Sequence, residues 1–169
     1  MAQSKLRMAG LSLMVEGGDK FQKELDDANK AARKNSAERR KLESTFGKGS
    51  KETDYLVQKQ ELLTKQLEIQ RQKTQSFRAG REAYAQTVDA SAEKLDKLEI
   101  TVINSEAAEA ALERQLRETS AAIAEQAKAA EEAKAQEEKA AQQAAEAQEQ
   151  EAQAAAAAAR QQTEQARTA

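Results

Sequence analysis

The sequence predicts an all-α protein: an extended helical rod or coiled coil, with a short strand-like N-terminal lead-in and a helix-turn-helix break near residues 47–50. Three observations predict it. Ala, Glu, Lys, Arg and Leu fill 100 of 169 positions, the composition of long helices and coiled coils. The 24 Leu, Ile, Val and Phe residues are too few to fill a compact domain of this length. Apolar residues recur at alternating spacings of four and three along most of the chain. A net charge of −2 argues against a self-repelling disordered chain.

Residues 1–49 read as a strand-plus-helix module. Leu11, Leu13 and Val15 alternate with polar or flexible neighbours, as in a short strand, and Gly17-Gly18 ends the run. Asp19 is then a candidate N-cap, with Gln22 spaced to reach back to the cap amide. The helix that follows has a seam through Phe21, Leu25, Ala28, Ala32, Asn35, Arg39, Leu42 and Phe46. Gly47-Lys48-Gly49-Ser50 stops it, because glycine fits the left-handed position after a helix, and Ser50 or Thr53 can cap the next start.

Residues 50–123 read as a heptad rod. One ladder runs from Leu56 through Leu63, Leu67, Phe77, Tyr84, Val88, Leu95, Leu98, Val102, Leu112 and Leu116 to Ile123, with Gln60, Gln70, Thr74, Arg81, Ser91, Ser105, Glu109 and Thr119 at its polar steps. Nearly ten heptads without a stutter predict a left-handed coil with a partner helix. Arg81, Glu109 and the seam Gln and Ser residues are costly if fully buried. Either they select register or oligomer state, or the rod is wet and loosely paired.

Residues 124–169 hold no apolar residue larger than alanine, and include the run Ala154 to Ala159. Alanine has the highest helix propensity, so the helix is expected to continue with little to bind another helix. A single rod over residues 53–160 would extend roughly 160 Å at 1.5 Å per residue. Residues 1–50 carry a net charge of +4 and the remainder −6, too weak a contrast to argue for nucleic-acid binding.

The chemistry available is narrow. Without Cys or His the sequence cannot build a thiolate or imidazole metal site, a disulfide, or a Ser–His or Cys–His catalytic set. Glu131-Glu132 and Glu137-Glu138 read as solvated helix face, since acid–base work needs two carboxyls held in unlike environments. Residues 47–50 lack the spacing of a phosphate loop. Arg39-Arg40-Lys41, flanked by Glu38 and Glu43, reads as a solvated face. Phe21, Phe46, Phe77 and Tyr84 fall on seam positions, where packing explains them. No catalytic, cofactor-binding or metal residue is assigned, and no enzyme is expected. The longest apolar run, Leu13 to Val15, is far short of the roughly 18 residues of a membrane span, and no signal peptide is legible, so the chain is expected to be soluble where it is made.

Residues 11–30, from Leu-Ser-Leu-Met-Val-Glu-Gly-Gly-Asp-Lys-Phe through Leu25 and Ala28, resemble the opening of phage tail tape measure proteins. Those begin with a short alternating strand, then Asp-x-Phe, then a helix with Leu and Ala at these spacings. The Gly-containing break, the Leu-Leu-x-Lys-Gln-Leu at 62–67 and the long Gln-, Glu- and Lys-rich helix fit as well, so the resemblance extends loosely over residues 8–125. The chain is much shorter than members of that family, and its alanine-rich end at Ala169 has no terminating cap, so it is expected to be an N-terminal portion of a longer protein.

The resemblance implies a helical oligomer inside the tail tube, setting tail length during tube assembly and leaving before DNA passes. Its location would be the virion, and the host cytoplasm during assembly. The partners implied are further copies of the chain, trimers included, the tail tube protein, tail assembly chaperones, and tail-tip or tail-terminator proteins. No cofactor or small-molecule ligand is implied, and DNA contact is at most transient. Leu11, Leu13, Val15, Phe21 and Leu25 form a cluster too small to be stable alone, so another copy or a tail protein is expected to complete it. The competing expectation is a generic coiled-coil spacer or stalk.

Overall fold

The computed structural model describes residues 3–48 and 50–168, with side chains described as far as Ala155. Two strands precede three helices: β1 (Gln3–Met8), β2 (Leu11–Glu16), α1 (Gly18–Phe46), α2 (Thr53–Ala85) and α3 (Ala92–Thr168). The chain divides into two compact units, Met1–Ile123 and Ala124–Ala169.

The expected strand at Leu11 to Val15 is β2, and it is half of a hairpin. It pairs antiparallel with β1 in a register that sets Met8 against Leu11 and Leu6 against Leu13. The two linking residues, Ala9 and Gly10, have φ of 52° and 74°, the left-handed pair that a tight hairpin turn requires. Alternation then sends Leu6, Met8, Leu13 and Val15 to one buried face.

α1 starts two residues earlier than the Asp19 cap predicts, behind Gly17 at φ 71°. Its first turn is served from the hairpin: the Asp19 amide donates to Ser4 Oγ at 2.8 Å. Gln22 does not reach back to a cap amide; its Oε1 accepts from the Arg7 amide at 2.8 Å and its Nε2 donates to Asp26 Oδ1 at 3.0 Å. The cap roles pass to the strand because β1 lies directly against the helix start. At the far end Gly47 has φ 83° but ψ 147°, an extended rather than helical left-handed geometry, and Gly49 lies outside the described residues. Ser50 Oγ accepts from the Glu52 amide just ahead of α2.

The ladder from Leu56 to Ile123 is not one helix. Residues 86–91 form a turn, so the rod expected over residues 53–160 is broken and folded back. Tyr84 makes the corner: its hydroxyl donates to the Asp89 carbonyl at 2.9 Å and accepts from the Ser91 amide at 3.2 Å. The Thr87 hydroxyl caps the α2 terminus by donating to the Tyr84 carbonyl at 2.7 Å. Val88, a seam position by spacing, is fully exposed in this turn.

Within the first unit α1, α2 and the start of α3 therefore form an antiparallel up-down-up bundle. Ser76 meets Glu24, and Asn35 meets Leu62 and Gln66, across α1 and α2. Gln60 meets Ser120, and Arg81 meets Glu99, across α2 and α3. The core lies in two clusters at opposite ends. One gathers Leu42, Tyr55, Leu56 and Leu62, with Phe46 and Ile123 at its edge. The other gathers the hairpin's apolar face with Leu25, Tyr84 and Leu98.

The second unit is helical as far as Thr168, and its side chains over 124–155 are exposed apart from half-buried Gln126.

Candidate functional site

The residues expected to bind partners instead bury one another. Leu13, Val15, Leu25, Tyr84 and Leu98 share one cluster, with Leu11, Phe21, Phe77 and Leu95 packed on it half-buried. Within the chain, α2 and α3 close over the N-terminal patch. Leu42 and Leu56 join the other cluster with Phe46 and Ile123. Leu63, Leu67 and Val102 are buried, while Leu112 and Leu116 are half-buried. Of the predicted set only Val88 is brought to nothing.

Four buried apolar side chains escape the heptad reading. Leu6 and Met8 sit on β1, and Tyr55 and Leu62 sit beside the seam of α2. As the middle helix, α2 has neighbours on two sides, so a single stripe cannot describe it. Gly80 marks where the hairpin crosses α2: a Cβ there would stand 3.0 Å from Leu6 Cδ2 and 3.1 Å from Met8 Cε. A glycine inside a helical pattern was the available signal for that crossing.

Several of the polar seam residues bond one another or the facing helix. Gln70 Nε2 donates to Ser105 Oγ at 2.7 Å, and the Thr74 and Ser105 hydroxyls lie 2.8 Å apart. Asn35 Nδ2 donates to the Leu62 carbonyl and to Gln66 Oε1. Slipping either helix pair by a turn would leave these groups buried without partners, at roughly 1–3 kcal/mol each, so the layer fixes register. Asn35 Oδ1 and Glu109 Oε1 are buried without a hydrogen-bond partner among the described residues.

Three arginines of α2 face three glutamates of α3: Arg71 with Glu113 at 2.8 Å, Arg78 with Glu106 at 2.5 Å and Arg81 with Glu99 at 2.5 Å. The hydrogen bonds that Arg78 donates to Glu106, then the charge of that carboxylate, raise the Arg78 pKa above its ordinary value. These pairs are solvent-exposed and screened, so they add little to stability. On α3 itself Lys97 Nζ lies 2.6 Å from Glu93 Oε1, and that hydrogen bond lowers the Glu93 pKa. The small stabilisation it gives is present above the unfolded-state pKa and is lost as pH falls through the folded value.

Among the described residues no group of three or more acidic side chains could hold a metal ion, and no helix is long and apolar enough to cross a membrane. An open groove of about 600 Å³ lies between α1 and α2, floored by Ala28, Ala31 and Ala79 and rimmed by Lys20, Glu24 and Gln72. Ile100 and Ile103 stand on the outside of α3 at 56% and 53% exposure. No protein-family model, curated protein or solved structure matches the chain.

Proposed function

We propose that the chain is a structural protein of a phage tail, acting as the N-terminal portion of a tape measure protein that occupies the tube lumen, sets tail length and leaves before DNA ejection. It performs no catalysis. The observation that carries this reading is the helix of the second unit, whose side chains over 124–155 are exposed apart from half-buried Gln126 and include no apolar residue larger than alanine. Such a helix adds little packing and converts residue count into distance at about 1.5 Å per residue. Its alanine, glutamine and glutamate surface offers no sticky patch to a tube wall. The strand, Asp-x-Phe and helix opening at residues 11–28 supports the same family.

In this reading the bundle of residues 1–123 is a terminal anchor, in contact with tube, tip, terminator or chaperone proteins, and the ruler begins after it. The test is a set of in-frame deletions between Ala124 and Ala155 in the phage that carries the chain, with tail length measured by electron microscopy. Tails should shorten by about 1.5 Å per residue removed. Unchanged tails that still contain the shortened chain would overturn the reading and leave a generic structural spacer in its place.

A further inference from the structure

The heptad seam is consumed inside the bundle, yet α3 carries a second one on its outer side. At spacings of 3, 4, 3, 4, 3, 4 and 3 it begins with the acids Glu93 and Asp96 and continues with Ile100 and Ile103. It then passes through Ala107 and Ala110 to the bases Arg114 and Arg117. All eight positions are exposed. Among the described residues Asp96, Arg114 and Arg117 have no ion pair within the chain, and Glu93 has only Lys97.

The order of these residues reads the same, with sign and size exchanged, from either end. Laid antiparallel about Ser105, two copies of the stripe set Glu93 against Arg117, Asp96 against Arg114, Ile100 against Ala110 and Ile103 against Ala107. Every acid meets a base, and every bulky residue meets a small one, which lets the helices close without overlap. A parallel pair would oppose like charges at four of the eight levels and leave the alanine levels hollow. We infer that this face of α3 binds a second copy of the chain in an antiparallel, two-fold symmetric pair. The stripe extends along about 37 Å of helix, enough for a small interface held by two pairs of isoleucines. The inference does not rest on the tail reading.

The full chain has no cysteine, so introduced ones report geometry directly. Chains with Ile100→Cys mixed with chains with Ala110→Cys should form a disulfide on mild oxidation. Chains with Ile100→Cys alone should not, because antiparallel pairing holds the two sulfurs roughly 15 Å apart along the axis. In sedimentation equilibrium the unmodified chain should dimerise with rising concentration. Asp96→Arg should weaken the dimer roughly tenfold, and Asp96→Arg combined with Arg114→Asp should restore it. Circular dichroism checks that each variant keeps its helix content. A monomer at every concentration, self-linking of Ile100→Cys chains, or a dimer indifferent to both charge changes would overturn the inference.

Discussion

At Gly18 the absence of a side chain decides how the hairpin sits. A Cβ there would lie 2.4 Å from the Ser4 carbonyl oxygen, which is backbone and can move only if β1 moves. That close approach sets Ser4 Oγ on the Asp19 amide and brings Leu6 and Met8 over α2. Gly18→Ala gains at most about 1 kcal/mol of helix propensity and forces an overlap of about 1–3 kcal/mol. A net loss of stability is therefore expected, read as a lower urea midpoint at unchanged slope. At Gly80, where the nearest atoms are the flexible ends of Leu6 and Met8, Ala should change stability by less than about 1 kcal/mol. The role of Gly18 was not legible in the sequence. Gly17-Gly18 reads as a strand stop, and nothing in the composition says that one glycine serves φ and the other an approach. Strand β1 was hidden for a related reason, since its turn needs a left-handed Ala9, and alanine does not advertise that conformation.

Among the elements, the ladder from Leu56 to Ile123 was legible as a buried face and illegible as a topology. All its positions are buried or half-buried except Val88 and Ser91, which lie in the turn. Spacing reports which side of a helix is covered but not what covers it, and here each half of the ladder helps cover the other. The break itself was masked because residues 86–91 contain no glycine or proline and happen to keep the four-three phase. It is held instead by the Tyr84 hydroxyl and the Thr87 cap. Val88→Ala should accordingly change stability by less than about 0.5 kcal/mol. Leu98→Ala, cut from a side chain with no solvent exposure between Tyr84 and the hairpin, should lose about 2–5 kcal/mol. Thermal melts of the two variants check this, and equal Tm values would restore the view of an intermolecular seam with no special turn.

For the molecule as a whole, the distribution of bulky residues sets two kinds of helical stability in one chain. Residues 1–123 have apolar clusters at both ends, a hydrogen-bonded polar layer between them and three cross-helix ion pairs, so their backbone opens only with the loss of many contacts. Residues 124–155 have exposed side chains apart from half-buried Gln126, and their contacts include i,i+4 pairs such as Lys128 with Glu132 and Gln153 with Glu149. Such pairs contribute about 0.2–0.5 kcal/mol each, so this helix rests on alanine propensity and opens locally. Hydrogen exchange followed by mass spectrometry should therefore divide near Ile123. Amides in the bundle should exchange only through cooperative opening, while those of 124–155 should exchange orders of magnitude faster, with little dependence on mutations in the core. Heating should give a cooperative step superimposed on a gradual loss of helix signal. Uniform protection across the boundary would mean that the alanine-rich helix is packed against something in solution. In that case its bare surface would be an interface rather than a length of ruler.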